Sequence, residues 1–580
     1  MSKITRRPTL DIECLPDSIP KRLRQIYVTR GIKSPAQLER GVKGLLTYQA
    51  MGGVDQAVAL LFDAIKTNTR LIIVGDFDAD GATSCAVCVL ALRMLGFSNV
   101  DYLVPNRFED GYGLSPEVVD QALAMGAEMI MTVDNGVSSI DGVAHAKAKG
   151  LRVIVTDHHL PGEVLPQADA MVNPNLETCN FPSKALAGVG VAFYLMLALR
   201  ARMRAQGWFE QQQIQMPNLG ELLDLVALGT VADVVPLDDN NRILVHQGLQ
   251  RIRAGKARPG IQALIEVSKR SAHRLVASDF GFALGPRINA AGRLDDMSFG
   301  VELLICQDIH AARRMASELD SLNVSRREIE ADMKTEAMAF CERLQLGDKS
   351  KLPFGISLFQ ADWHQGVIGI LASRIKDEFH RPVIAFADGG DGLIKGSARS
   401  IKGFHMRDAL DRLDTQNPGL ILKFGGHAMA AGLSIPKDKY QEFSQKFDAL
   451  VRELLAESEL EGELLSDGEL LPEEFNLATA QMLRDGGPWG QAFPEPVFDG
   501  EFKVLHQKLV GEKHLKLMIE PLFKGHSTGH MVDAIAFNVD LRRWPDASVK
   551  TVRLGYRLDI NEFRGNQSLQ LMVESIEVAS

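Results

Sequence analysis

The chain has 580 residues, too many for one ordinary hydrophobic core, so two to four domains are expected. Hydrophobic residues at 46% and charged residues at 24% are the proportions of an ordinary soluble protein. No apolar run is long enough to span a bilayer, and the opening Met1-Ser2-Lys3-Ile4-Thr5-Arg6-Arg7-Pro8 lacks the apolar centre of a signal peptide, so no membrane partner and a cytoplasmic location are expected. Six cysteines are scattered, and only Cys85-Ala86-Val87-Cys88 has a motif spacing; with no second pair to complete a zinc site, reduced buried thiols are expected. The net charge of −10 weakly disfavours a polyanion partner. However, the acids crowd between 453 and 474 (Glu457, Glu459, Glu461, Glu463, Asp467, Glu469), while bases gather at Lys21-Arg22-Leu23-Arg24 and at Arg251, Arg253, Lys256 and Arg258. A local basic surface is physically reasonable, although a solvated face is the commoner meaning of such a cluster.

Residues 1–48 are proline-punctuated and net basic, and predict a helical lead-in without sheet. Val54, Val58, Leu61, Phe62 and Ile65 share one helical face. Leu71-Ile72-Ile73-Val74 then reads as a buried strand, followed by Gly75-Asp76-Phe77-Asp78-Ala79-Asp80-Gly81. In an extended chain residues two apart point to one side, so Asp76, Asp78 and Asp80 are expected to converge. Three like charges in water-poor surroundings cannot all stay ionised, and hard oxygen ligands suit magnesium or manganese. A solvated acidic loop is the alternative for this stretch alone.

An apolar run over 86–95 stopping at Gly96 predicts a helix, and Val100–Val104 a strand. Ser115-Pro116-Glu117 opens a helix that stops near Gly126. Residues 128–133 form a strand ending at Asp134, a helix runs from about Ile140 to Gly150, and strand 152–156 ends at Asp157-His158-His159. The alternation implies a parallel sheet with helices on both faces, and such sheets gather ligands at the carboxyl ends of their strands. Three strands end in metal-ligand residue types, and Asp233 follows the apolar helix 225–232. Together these segments suggest a two-metal site. No Walker-type phosphate loop occurs, and Gly188-Val189-Gly190 reads as a tight turn before a helix.

These segments, with Val133-Asp134-Asn135-Gly136, Thr230-Val231-Ala232-Asp233, Pro105-Asn106-Arg107-Phe108-Glu109-Asp110-Gly111-Tyr112-Gly113, Gly285-Pro286-Arg287-Ile288-Asn289-Ala290-Ala291-Gly292-Arg293 and Lys423-Phe424-Gly425-Gly426-His427, resemble the DHH phosphoesterase superfamily over nearly the whole chain. Val74 and Asp76 stand where pyrophosphatase relatives carry a histidine, which places the resemblance in the nuclease branch. It implies a fold of class α/β: a parallel-sheet DHH domain (49–305) after the lead-in (1–48), joined by a long helix (306–346) to a second α/β, DHH-associated, domain (347–455). An acidic linker and an OB-like β-barrel (456–580) complete it. It also implies two Mn2+ or Mg2+ ions held by Asp76, Asp78, Asp80, Asp134, His158 and Asp233, with Asp134 as a bridge, His159 beside the scissile phosphate, and Asp157 orienting His158. Arg107, Tyr112, Ser397, Arg399 and His427 would grip the DNA backbone and its 5′ end, and Arg287 a phosphate near the metals. The implied activity is 5′→3′ exonucleolytic degradation of single-stranded DNA to 5′-mononucleotides in repair and recombination. The implied setting is a monomer working with single-strand-binding protein and a helicase that supplies single strands.

In the second half Met315, Leu319, Leu322, Ile329, Met333, Phe340 and Leu344 follow near-heptad spacing, interrupted at Arg326. They predict a helix of about 36 residues and about 50 Å, or a helical hairpin turning at Asn323. Strands are expected at 355–359 and 382–386 with a helix opening between them, and anion-binding turns at Gly396–Ser400 and Gly425–His427. Five short strands, at 498–504, 515–519, 534–539, 551–558 and 569–576, fit the barrel, with Phe537, Trp544, Tyr556, Phe563 and Arg564 as candidates for single-strand binding against an alternative as core.

Overall fold

The computed structural model describes residues 3–107, 110, 112–345, 352–456, 460, 462–563 and 565–579. Among them no helix is long and apolar enough to cross a membrane. Lys3–Arg6 form a strand, β1, in a segment expected to hold no sheet. The rest of that segment is helical as expected, with a helix at Lys21–Thr29 followed by short 3-10 turns.

The strands β2 (Leu71–Val74), β3 (Val100–Leu103), β4 (Met129–Val133), β5 (Arg152–Thr156) and β6 (Ala170–Val172) build an all-parallel sheet in the order β3-β2-β4-β5-β6. β6 is three residues long, too short to carry a pattern in the sequence. Leu71 and Ile73 pack with Met129, Met131 and Ile154 in one core, whereas Ile72 and Val74 pack with Ile130, Val153 and Val155 in another. Burial on both faces is why these strands read as unbroken apolar runs.

Helix α1 (Ala79–Met94) is buried on every side through Leu92. Around it pack α2 (Gly188–Ala205), α3 (Leu223–Ala232) and α4 (Gly285–Leu294). One π-helical turn, Phe280–Leu284, precedes α4. Helix α5 (Ile309–Gln345) is a single helix of 37 residues, not a hairpin, about 55 Å long. Its Ala312, Ala316 and Leu319 enter the first unit's core, and Met333, Ala337 and Cys341 enter the core of the second unit. Where α5 passes between the two, Asn323, Arg326 and Glu330 are buried. Arg326 donates to Glu330 (2.6 Å) and Asn323 (2.6 Å), and Arg374 donates to Glu330 (2.7 Å). Arg326 therefore fills a polar layer rather than breaking an apolar stripe; the side chains of Phe340 and Leu344 lie outside the described residues.

The second unit carries β7 (Ile356–Phe359), β8 (Val383–Gly390), β9 (Leu393–Arg399), β10 (Lys423–Gly426) and β11 (Ala430–Pro436) in the order β10-β11-β9-β8-β7, parallel only between β7 and β8. Gly396–Arg399, expected as a turn, lie within β9, because both neighbours β8 and β11 pair with them. Gly425 and Gly426 end β10, and His427 begins the hairpin, its N–H donating to the Ala430 carbonyl (2.7 Å).

Strand β12 (Glu463–Ser466) pairs in parallel with β1. The last region is a barrel: β13 (Phe498–Val510), β14 (His514–Phe523), the short β15 (His526–Ser527), β16 (Val532–Ala536), β17 (Thr551–Phe563) and β18 (Asn566–Val578) run in the order β13-β17-β18-β16-β14-β15, and β14 closes onto β13. Trp544 and Tyr556 are buried and belong to its core, so the single-strand-binding role weighed for them is not available; Phe537 is half exposed. The Phe563 side chain and Arg564 lie outside the described residues, as do Phe108, Glu109, Gly111, Glu457, Glu459 and Glu461. Acids at the end of the acidic segment and in β13 are held by arginines. Asp467 accepts from Arg30 (2.7 Å), Asp499 from Arg6 (2.9 Å) and Arg553 (3.0 Å), and Glu474 from Arg22 (2.8 Å). The barrel core is continuous with that of the first unit.

Helix α4 lies against the acidic loop so closely that a methyl group on Gly292 would sit 2.0 Å from the Phe77 carbonyl oxygen. Gly292→Ala should therefore lower stability by about 1–3 kcal/mol in denaturant melts. Gly425→Ala, where nothing lies within 4 Å, should change it by less than about 1 kcal/mol. Equal melts for the two variants would show that α4 can retreat from the loop without cost.

Candidate active site

The three aspartates after β2 do converge, but not through strand alternation. β2 ends at Val74, and the chain turns into α1 with Asp78 as its N-cap, accepting from the N–H of Asp80 (2.9 Å) and Gly81 (3.0 Å). Asp80 thus sits on the first helical turn, and Asp76 in the loop is folded back over it. A side chain at Gly81 would lie 2.2 Å from the Asp76 carbonyl oxygen. The capping chemistry of Asp78 makes the turn, and the turn brings the carboxylates together.

Asp134 follows β4 with a left-handed backbone (φ 61°), which aims it back across the sheet edge. Asp157-His158-His159 follow β5, and Asp233 caps the C-terminus of α3. The first N–H groups of α2, on Gly188 and Val189, donate to the two oxygens of Asp80 (2.6 and 2.9 Å). Gly188 is needed there, because a side chain would lie 2.5 Å from the Asp134 Cβ. His158 Nε2 lies 3.1 Å from Asp134 Oδ1, 3.4 Å from Asp233 Oδ2 and 4.0 Å from Asp80 Oδ2. Asp134 with His158 and His159, Asp80 with His158 and Asp233, and Asp76 with Asp78 and Asp134 each bring their ligand atoms within 4.8 Å.

Three of these atoms, Asp134 Oδ1, His158 Nε2 and Asp233 Oδ2, are buried with no hydrogen-bond partner. Orphaned buried acceptors are rare and costly. Burial, then the neighbouring carboxylates, push Asp76, Asp134 and Asp233 well above the ordinary range and Asp80 up to about 7. Burial and the adjacent His159 bring His158 down to about 4, leaving its ring neutral with a free lone pair. Mostly carboxylate donors with one imidazole fit Mn2+ or Mg2+.

Asp157 has a different partner from the one expected. Its Oδ1 accepts from the His158 and His159 N–H groups (2.7 and 3.1 Å) and lies 2.7 Å from His159 Nδ1, while Oδ2 accepts from the Val137 N–H (2.9 Å). It fixes the ring of His159, not that of His158, and has no oxygen left over. Burial alone would raise Asp157, but the bond with His159 holds it below the usual range. Burial likewise opposes charge on His159, yet Asp157 and the nearby Asp76 and Asp78 raise it to about 9.

Around this floor stands a rim. The His159 ring stacks on His427 of the second unit (6.2 Å, 15°). Tyr112 Oη lies 3.4 Å from the His159 ring nitrogens, and its ring meets Phe77 edge-on (5.9 Å), over which Arg107 lies at 4.1 Å. Arg399 donates to Ser397 (3.1 Å). Arg293, not singled out in the sequence, joins them: it donates to the Gly366 carbonyl (3.0 Å), and burial together with Arg107 and Arg399 brings its guanidinium down to about 9. Its place at the end of the Gly285–Arg293 motif was visible, but its facing the acidic loop depends on how α4 packs. Among the described residues none of these three arginines has a carboxylate within ion-pair distance. Arg287, expected at a phosphate, instead donates to Asp320 of α5 (2.8 Å) and to the Ala283 carbonyl (2.6 Å). The structure thus joins the expected ligands with Arg107, Tyr112, Ser397, Arg399 and His427, and holds Arg287 in another role.

Residues 70–230 match the DHH family N-terminal domain, 352–453 the DHHA1 domain and 466–575 the RecJ OB domain. The chain is 64% identical over 576 residues to the single-stranded-DNA-specific exonuclease RecJ of Dickeya dadantii, covering 99% of both chains. It is 62% identical to that of Escherichia coli over 574 residues, again 99% of both. The crystal structure of RecJ in complex with Mn2+ from Thermus thermophilus superposes with a TM-score of 0.78 at 27% identity, over 100% of this chain and 79% of that one. The corresponding Mg2+ complex gives a TM-score of 0.75 at 26% identity, over 100% and 78%. With its ligands at the strand ends, its second unit over them and its barrel, the chain belongs to the RecJ family within the DHH proteins.

Proposed function

We propose that the protein is a divalent-metal-dependent exonuclease that degrades single-stranded DNA in the 5′→3′ direction to 5′-mononucleotides, in DNA repair and recombination. The observation that carries this is the juxtaposition of three orphaned ligand atoms on Asp134, His158 and Asp233 with three arginines that, among the described residues, have no carboxylate within ion-pair distance. One set calls for cations and the other for phosphate. The names of the relatives, and the Mn2+ and Mg2+ held by the related crystal structures, point the same way.

Asp76, Asp78, Asp80, Asp134, His158 and Asp233 would hold the metal ions. When bound, Mn2+ or Mg2+ supplies Lewis acidity at the scissile phosphate and the positive charge this cluster lacks. His159, cationic at neutral pH and fixed by Asp157, donates a hydrogen bond to a phosphate oxygen as charge builds there. Arg107, Arg293 and Arg399, with Ser397 and His427, take the 5′-terminal phosphate, and Tyr112 closes the wall beside it. Water attack breaks the P–O3′ bond of the first nucleotide, so the product keeps its 5′-phosphate and the shortened strand begins with a new one for the same pocket. That recurrence gives polarity and single-nucleotide steps. The second unit's approach to His159 supports exclusion of paired strands.

In this reading 49–305 is the catalytic domain, 306–346 the connecting helix, 347–455 the domain that grips the 5′ end, and 456–580 the segment that guides the strand. The protein acts as a cytoplasmic monomer beside single-strand-binding protein and a helicase.

Single-stranded DNA labelled at either end should release a 5′-labelled mononucleotide at once in Mn2+, and EDTA or Asp134→Ala should abolish the release. Cleavage persisting in Asp134→Ala would remove the site from the mechanism. Arg399→Ala should cut kcat/KM roughly 10–100-fold on 5′-phosphorylated strands and far less on 5′-hydroxyl strands, the range of a charge-assisted bond; equal losses on both would place the terminal phosphate elsewhere.

The raised carboxylates also fix a pH trend. Without cations the folded protein holds more protons than the unfolded chain between about pH 4 and the Asp80 value of about 7, so its stability falls as pH rises through that window. Cations displace those protons, so the rise in Tm on adding Mn2+ should grow from pH 5 to pH 8. A rise that shrinks over that range would contradict the assignment.

A further inference from the structure

Of the large apolar side chains left outside the core, Phe282 is the most exposed among the described residues, at 85%. It sits on the π-helical turn Phe280–Leu284, closed by the Gly285 N–H donating to the Phe280 carbonyl. Such turns insert a residue at a cost in helix geometry and concentrate at functional sites. Here the insertion contributes no packing through Phe282, while its neighbours Phe280 and Leu284 are fully buried. Arg287 braces the turn by donating to the Ala283 carbonyl (2.6 Å) and is itself anchored on Asp320 (2.8 Å). The aromatic ring is therefore held out on a rigid support.

The support stands at the edge of the metal-ligand cluster. A side chain at Gly281 would lie 3.6 Å from Val231, and one at Gly285 would lie 3.2 Å from Ala232, the residue before Asp233. Val234, just beyond Asp233, is also exposed and takes φ 62°, a region a β-branched residue enters only when its surroundings impose it. The turn that carries Phe282 thus packs beside Val231 and Ala232, the two residues before Asp233, and the exposed Val234 follows it. From there α4 runs along the site to the acidic loop, where Gly292 touches Phe77 and Arg293 joins the arginine rim. Phe282 and Arg293 are eleven residues apart, about 16 Å at 1.5 Å per residue. That exceeds by several times the 3.4 Å rise per nucleotide of a stacked strand.

Resting on the exonuclease reading above, we propose that Phe282 is a base-stacking platform for the bound single strand, engaging a base a few nucleotides inward from the 5′ end held at the arginines. Stacking on an aromatic face is indifferent to sequence, as an enzyme that must consume any strand requires. Arg287 is the positioning residue of this platform.

The test is steady-state digestion in Mn2+ of a 5′-phosphorylated single strand by the parent, Phe282→Ala and Phe282→Trp, with a parallel set of strands carrying one abasic site at each of the first several positions. Phe282→Ala should raise KM roughly tenfold with kcat changed by less than about twofold, and Phe282→Trp should stay near the parent. An abasic site at the engaged position should raise KM for the parent and not for Phe282→Ala, since the ring then has no base to lose. Thermal melts of all three should coincide, because the side chain packs against nothing it stabilises. An unchanged KM in Phe282→Ala, or an abasic penalty as large in Phe282→Ala as in the parent, overturns the platform while leaving the exonuclease reading intact. A parent that releases no nucleotide in Mn2+ overturns both.

Discussion

Everything in this molecule depends on the crowding of like charges at the carboxyl ends of three parallel strands. Asp76, Asp80, Asp134 and Asp233 are all pushed above the ordinary carboxylate range, first by burial and then by one another. A cluster of this kind opposes folding unless something supplies hydrogen or positive charge. The protein supplies only part of it. Asp78 is used by the start of α1, Asp80 by the start of α2, and Asp157 by three backbone N–H groups and His159. What the backbone leaves unsatisfied on Asp134, His158 and Asp233 is the coordination space. Asp78 and Asp80 are thus held in place by the backbone while still lying within the acidic groups, whereas Asp157 has both oxygens engaged.

That distinction also marks the limit of what was legible in the sequence. The strand runs, the residues at their ends and the long connecting helix could be read directly, because burial on both faces and helical spacing leave strong patterns. The convergence of Asp76, Asp78 and Asp80 was legible, but its cause was not: alternation along a strand predicts it, whereas N-capping by Asp78 produces it. The partner of Asp157 was out of reach, since two histidines follow it in sequence and only the folded geometry sets His159 Nδ1 against its Oδ1. Gly396–Arg399 looked like a turn because small residues and an arginine suit one; β8 and β11 on either side decide otherwise. Strand β1 was missed because its only partner, β12, lies more than 450 residues away. Trp544 and Tyr556 show the reverse error, aromatics weighed for binding that fill the barrel.

The same long-range pairing explains how the barrel is placed. Arg6, Arg22 and Arg30 of the lead-in meet Asp499, Glu474 and Asp467 at the start of the C-terminal region. The Arg30 and Asp467 side chains are almost wholly buried, so this pair carries a desolvation cost that a solvated pair would not, and its geometry must be held closely to offset it. With β1 and β12 paired alongside, the lead-in acts as a clasp between the first and last parts of the chain. At the other junction, the buried Asn323–Arg326–Glu330 layer fixes where α5 leaves one core and enters the next. Both junctions use polar groups that must be satisfied in one register, which specifies relative position where an apolar contact could slide.

A chain of net charge −10 that handles a polyanion must concentrate its positive charge where it counts. Part of the basic clusters that stand out in the sequence is used within the protein. Arg22, Arg24 and Arg258 are spent on Glu474, Asp17 and Asp224. Arg107, Arg293 and Arg399, which among the described residues have no carboxylate within ion-pair distance, are separated in sequence and gathered by the fold, each half-buried. Their mutual repulsion mirrors that of the carboxylates, and Asp76 and Asp78 act on Arg107 without pairing with it. A phosphodiester with its cations is the arrangement of charge that satisfies both at once.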